Sequence, residues 1–194
     1  MKTKLISIVL ILMLSVPMAI AQSADKGKSS FAILGGVNMQ NLNGKDISGA
    51  KLTNDMITGY HAGVNIQIPL VPEFYFQPGL LFSTKGAKTS ISTIKLSYIE
   101  LPLNFLYKGL LGSGYVMVGF GPYVGYAISK EVTAEYGTLN QFDAGGNILA
   151  GYEMAGGIFL QVNAQLGMLK INPDTGNELS VKNTGFGLSL GYRF

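Results

Sequence analysis

The chain has 194 residues, 26 of them Gly and only 13% of them charged, where an average domain has ~7% Gly and ~25% charge. That balance excludes a disordered tail and a charge-laced helical rod, and the length suits one domain. With no Cys there is no disulfide, no thiol nucleophile and no Cys-ligated zinc; the net charge of +3 is not gathered into any run or face, so nucleic acid is not an expected partner.

In chain order, Lys2 and Lys4 precede an apolar run from Leu5 to Val16, and Ala19-Ile20-Ala21 offers a small-x-small cleavage site. This pattern predicts a secretory signal peptide over residues 1–21, rather than an uncleaved membrane anchor, followed by a short linker over residues 22–29. Without the two leader lysines, 12 basic residues face 11 acidic ones, a net charge of +1. From residue 30 to residue 194 the periodicity is that of strands. Eight segments rich in Val, Ile, Leu, Phe and Tyr run approximately Ser30–Asn38, Ile57–Leu70, Phe74–Thr84, Ile94–Lys108, Tyr115–Ser129, Gln141–Met154, Ile158–Lys170 and Thr184–Phe194. The connections after the odd-numbered segments are long and polar, and those after the even-numbered ones are short. This alternation predicts an all-β fold, an eight-stranded antiparallel up-and-down transmembrane β-barrel with turns in the periplasm and loops outside. The uncharged stretch Gly109–Ser129 is long enough for a membrane helix, but its glycines and Pro122 favour strands.

Parity assigns the faces. Phe186, Leu188, Leu190, Tyr192 and Phe194 share one face of the last segment, against Gly185, Gly187, Ser189, Gly191 and Arg193. The polar set holds amides and glycines rather than Lys and Glu, which suits a barrel lumen better than a water-facing sheet. The predicted lumen network comprises His61, Asn65, Gln67, Gln77, Tyr98, Glu100, Asn104, Asp143, Asn147, Glu153, Gln161, Asn163, Gln165 and Arg193. Glu73 and Lys108 fall at periplasmic strand ends, and Lys85 falls in a long outer loop. Pro78, Pro102 and Pro122 lie inside consecutive strands and predict bulges or bends.

The segment Tyr98-Ile99-Glu100-Leu101-Pro102-Leu103, with Phe76-Gln77-Pro78-Gly79-Leu80, Gly119-Phe120-Gly121-Pro122-Tyr123 and the terminal Gly191-Tyr192-Arg193-Phe194, resembles the PorT-like outer-membrane β-barrel family. The resemblance implies an eight-stranded, porin-like barrel of the bacterial outer membrane; the namesake subgroup assists protein secretion. The Tyr192 and Phe194 finish resembles the signal by which such barrels are recognised by their assembly machinery.

Candidate chemistry is sparse. His61 is the single histidine, so a His-based metal cluster is excluded, and lumen packing is its expected role. Glu100, Asp143 and Glu153 are expected as neutralised lumen charges rather than a catalytic pair. The glycines from Gly185 to Gly191 have the wrong spacing for a nucleotide loop, and Asp174-Thr175-Gly176-Asn177-Glu178 reads as a plain loop rather than a calcium site. No catalytic residue, cofactor or metal is expected. The expected protein is a monomer with a side-chain-filled lumen and a structural or interaction role through its extracellular loops. Its expected partners are outer-membrane lipid, the barrel-assembly machinery and an envelope or extracellular protein. The alternatives are a component of a secretion machinery, or a lipid-modifying enzyme built on His61 and a nearby Ser.

Overall fold

A computed structural model describes residues 28–46, 48–89, 93–131, 140–172 and 179–194. The predicted leader and the Asp174–Glu178 segment lie outside these residues. The chain forms β1 (Ser30–Lys45), β2 (Ile57–Val71), β3 (Phe74–Lys88), β4 (Thr93–Leu111), β5 (Gly114–Glu131), β6 (Phe142–Glu153), β7 (Ile158–Gly167) and β8 (Ser180–Arg193). Each strand pairs antiparallel with its sequence neighbour, and β1 pairs with β8 from Ala32↔Arg193 to Lys45↔Ser180, closing the barrel. No described helix is long and apolar enough to cross a membrane, and Gly109–Ser129 is divided between β4, a tight turn and β5.

The alternation of side chains fixes which face is outside. Val118, Phe120, Ile148, Leu160, Val162, Leu188 and Leu190 are exposed on the outer wall, while Asn65, Gln67, Gln77, Asn104 and Glu100 are buried inside it. This inversion of a soluble protein suits a wall surrounded by hydrocarbon, where every backbone polar group is satisfied between strands. Aromatic pairs mark two heights on the wall. Phe31–Phe194, Tyr192–Phe194 and Phe74–Tyr107 lie toward the short-turn end, and Tyr60–Phe82 and Tyr126–Phe142 lie toward the loop end. Small residues let neighbouring strands approach: a Cβ on Gly36 would run into the Leu188 carbonyl across the closing β1–β8 ladder.

Two expectations change. The ladder does not shift register at Pro78, Pro102 or Pro122; pairing lapses beside each and resumes in the same register. The shifts occur instead between Pro69 and Val71 and between Ser97 and Tyr98. A proline removes one donor, but the apolar-out pattern on both sides of it resists a slip that would turn every later side chain over. The second change concerns strand ends at the loop side. β1 continues to Lys45, β3 to Lys88 and β8 starts at Ser180, so residues expected in loops are part of the wall.

Inside, two apolar clusters bracket the polar residues. Toward the short turns, Ala32, Leu106, Met117, Leu149 and Phe159 pack together with Leu34 and Tyr75. Toward the loops, Leu42, Ala87, Ile94, Leu96, Tyr98, Ala127 and Val181 pack around Ile171, with Leu52 and Leu179 against them. Ile171 is held there because its amide donates to the Val181 carbonyl and its carbonyl accepts from the Asn140 amide.

Candidate functional site

The lumen carries its charges in two separate groups. Near the loops, Lys85 of β3 is fully buried and pairs with Glu100 of β4 at 2.7 Å and Asp143 of β6 at 3.2 Å. One cation therefore faces two carboxylates, and neutral donors address the excess negative charge. Tyr123 Oη donates to Asp143 at 3.1 Å, Asn183 Nδ2 to Asp143 at 2.9 Å, and Gln165 Nε2 to Glu100 at 3.1 Å. Asn183 Nδ2 also lies 3.2 Å from Tyr98 Oη, and the Lys85 ammonium sits over the Tyr123 ring, 4.4 Å from its centroid.

Near the short turns the ratio is reversed. Glu153 of β6 accepts from Lys108 Nζ at 2.7 Å and Arg193 Nε at 2.8 Å, so one carboxylate faces two cations. Here the neutral neighbours are acceptors and ring faces. Asn65 Oδ1 accepts from Arg193 at 3.2 Å and Gln67 Oε1 from Lys108 at 3.4 Å, while Lys108 lies 4.8 Å from the Tyr115 ring centroid and Arg193 5.5 Å from that of Phe159. With ordinary ionisation the two groups carry opposite unit excesses, each surrounded by dipoles of the appropriate sign. Such pairing is what makes ionised groups tolerable away from water.

Between them the lumen is neutral. His61 Nε2 and Ser189 Oγ are 2.7 Å apart, Asn38 Nδ2 donates to Ser83 Oγ at 3.2 Å, and Asn147 Nδ2 donates to Asn104 Oδ1 at 2.9 Å. Gln67 Nε2 donates to Gln77 Oε1 at 2.9 Å, joining this layer to the lower group. Asn163 is half-buried against Gly187 beside His61, and Gln161 is buried on the same face. A pocket lined by Asn65, Gln77, Asn104, Asn147 and Gln165 has about 30 Å³ of space, the scale of a single water.

All fourteen residues predicted for the lumen share its parity, but they do not form one network. Glu100, Asp143, Tyr98 and Gln165 join the upper group, Glu153, Arg193, Asn65 and Gln67 the lower one. The expected neutralisation of Glu100 and Asp143 misses Lys85, their actual counterion. Sequence periodicity ends β3 at Thr84 because apolar residues stop there. The odd-numbered set Gln77, Gly79, Leu81 and Ser83 would have continued inward to Lys85. Lys108, placed by its sequence at a strand end, has lumen parity and pairs with Glu153. Among the described residues no group of His, Cys, Asp and Glu has the arrangement of a metal site.

A closed eight-stranded antiparallel wall, apolar outside and hydrogen-bonded inside, defines the class of outer-membrane β-barrel proteins. The chain belongs to the outer membrane protein beta-barrel domain family, whose sequence model matches residues 20–171, and its location is the bacterial outer membrane. It is similar in fold to the outer membrane protein OprG from Pseudomonas aeruginosa, with a TM-score of 0.54 and 10% identity over 87% of this chain and 97% of that one. The attachment invasion locus protein Ail of Yersinia pestis, solved in complex with the heparin analogue sucrose octasulfate, gives a TM-score of 0.41 and 13% identity over 87% of this chain and 100% of that one. Comparison with curated proteins gives no match.

Proposed function

We propose that this protein is a monomeric, non-catalytic outer-membrane barrel with a sealed lumen, acting as an anchor and contact surface through its loop end. The observation that carries this reading is the sequence of layers along the axis: apolar cluster, ionic group, neutral amides, ionic group, apolar cluster. A solute crossing the lumen would have to part ion pairs whose separation costs on the order of 3–5 kcal/mol each. Eight strands also leave an interior only wide enough for its own side chains. The buried His61–Ser189 pair is a reasonable starting point for hydrolysis, but it faces the lumen rather than the lipid such an enzyme would need to reach. Contact with an envelope or extracellular protein then falls to the loops above Leu42, Lys88 and Ile171. The Tyr98–Leu103 likeness to PorT-like barrels supports a narrower reading, a part in protein secretion, whose test is export of secreted proteins in a deletion strain.

Purified protein in planar bilayers tests the sealed lumen. The expected result is no steady conductance above that of the lipid alone; stable single-channel steps with a reproducible amplitude would overturn the proposal.

A further inference from the structure

Among the described residues, the upper ionic group is short of positive charge and of hydrogen-bond donors at the same atoms. Lys85 sets one positive charge against Glu100 and Asp143, each of the three 1% exposed. Asp143 takes its contacts from Lys85, Tyr123 and Asn183 all on Oδ2, and its Oδ1 has no partner. Asn183, equally buried, directs its amide nitrogen to Asp143 Oδ2 and Tyr98 Oη and leaves its own Oδ1 without a donor. Two orphaned oxygens on directly bonded side chains thus share a site with one uncompensated negative charge. Each of these deficits is costly in a buried place.

The surrounding elements do not supply the missing charge. Of the other described lysines toward the loops, Lys45, Lys51, Lys88, Lys95 and Lys170 are exposed, and Lys182 has the outward parity of β8. The loop segments outside the described residues add Glu135, Asp174 and Glu178 and no basic residue, while Lys130 and Glu131 at the end of β5 offset each other in sign. The opposite excess, on Lys108 and Arg193, lies toward the short turns, beyond the neutral amides. Beside Asp143 a glycine keeps a small place open: the point where a Cβ would stand on Gly167 is 3.3 Å from Asp143 Oδ1 and 2.6 Å from the Asn183 carbonyl oxygen. A methyl group there would strike that carbonyl, whereas a bare cation is attracted to it. Carboxylate, amide and backbone oxygens are the ligands that hard cations take.

We infer that Asp143 Oδ1 and Asn183 Oδ1 bind one monovalent metal cation of the size of sodium beside Gly167, with the Asn183 carbonyl as a third oxygen. A single unit of charge brings Lys85, Glu100 and Asp143 to neutrality. A divalent ion would instead leave a positive excess next to the Lys85 ammonium, which already lies 3.2 Å from Asp143 Oδ2. The ligands come from one carboxylate, one amide and the backbone, so the site is not one of the His, Cys, Asp and Glu clusters that hold transition metals. Ile171 and its apolar neighbours pack against Tyr98 on the loop side of the group, so the ion is taken up as the barrel closes.

The test follows urea unfolding of the reconstituted barrel by its heat-modifiable gel band, with choline chloride replaced stepwise by sodium chloride at fixed ionic strength. The expected result is a midpoint that rises with sodium; at ten times the dissociation constant the ratio of folded to unfolded chain increases about elevenfold. Asp143→Asn removes the uncompensated charge and is expected to abolish the sodium dependence, whereas Lys95→Gln, which removes an exposed charge outside the group, keeps it. Should Asp143→Asn fail to close, Asn183→Ala serves instead and is expected to weaken the dependence, and the wild-type series decides by itself if neither closes. A wild-type midpoint indifferent to sodium, including one that answers only to pH because a proton stands in place of the ion, would overturn the inference. So would calcium outperforming sodium at equal ionic strength, or an undiminished sodium effect in Asp143→Asn or Asn183→Ala.

Discussion

At the residue scale, Lys85 shows how much one buried charge governs. Replacing it with Met keeps most of the volume of its stem but leaves Glu100 and Asp143, both buried, without their cation. Removing one partner of a buried ionic group costs ~3–5 kcal/mol, because the orphaned charge is not rehydrated. Lys85→Met is therefore expected to lower the urea midpoint of unfolding of the reconstituted barrel. Adding Glu100→Gln and Asp143→Asn to the same chain should recover much of that loss, since neutral amides of equal shape no longer repel. The heat-modifiable gel band across a urea series measures both; a triple variant no more stable than Lys85→Met would show that the ammonium acts by packing alone. The residues of this group were unequally legible. Glu100 and Asp143 announce themselves as carboxylates flanked by outward-facing apolar neighbours, whereas Lys85 follows a polar segment in which alternation has faded. Asn183 was hidden for the same reason, at the start of β8 where Val181 alone among its near neighbours is apolar.

At the element scale, the eight strands and their alternating connections are readable because apolar residues every second position have to meet hydrocarbon on one side. Their outer ends are not, since beyond the lipid the wall no longer needs apolar residues. The amide-rich extension of β1 through Gln40, Asn41 and Asn43 is held by ladder hydrogen bonds to β8, which leave no signature in side-chain hydropathy. The last strand supplies a prediction. Phe194 is 68% exposed, its ring centroid 4.9 Å from that of Tyr192 and 6.1 Å from that of Phe31, and its amide donates to the Phe31 carbonyl. As an interfacial ring alone, its loss would cost on the order of 1–3 kcal/mol and leave a folded barrel. As an assembly signal, its loss stops insertion in cells without preventing refolding. The expected outcome for Phe194→Ser is the second: little heat-modifiable protein in the outer membrane, with near-normal refolding of purified chain in detergent. Wild-type amounts in the membrane would show that the ring is only an anchor.

At the scale of the whole molecule, the barrel is stabilised from both sides of its wall. Lipid takes the apolar face, and the lumen pairs most of its polar groups in layers of opposite charge excess with an apolar cluster toward each end, although Asn38, Asp143, Asn147 and Asn183 each keep one buried oxygen without a hydrogen-bond partner. This layering was legible only in part. Parity identified what points inward, but which inward residues meet depends on the stagger of eight strands around the closure, and no single strand encodes that. The sealed lumen is the central claim, and the absence of Cys from the chain gives it a direct test. Ser189 is buried in the mid-lumen beside His61, so Ser189→Cys introduces a thiol of similar size whose reactivity the neighbouring imidazole favours. Ser48→Cys, on the exposed turn after β1, is the accessible control. With a charged, membrane-impermeant thiol reagent applied to reconstituted protein, the account predicts prompt labelling of Ser48→Cys and none of Ser189→Cys until the barrel is unfolded; labelling of both at comparable rates in the folded state would contradict it.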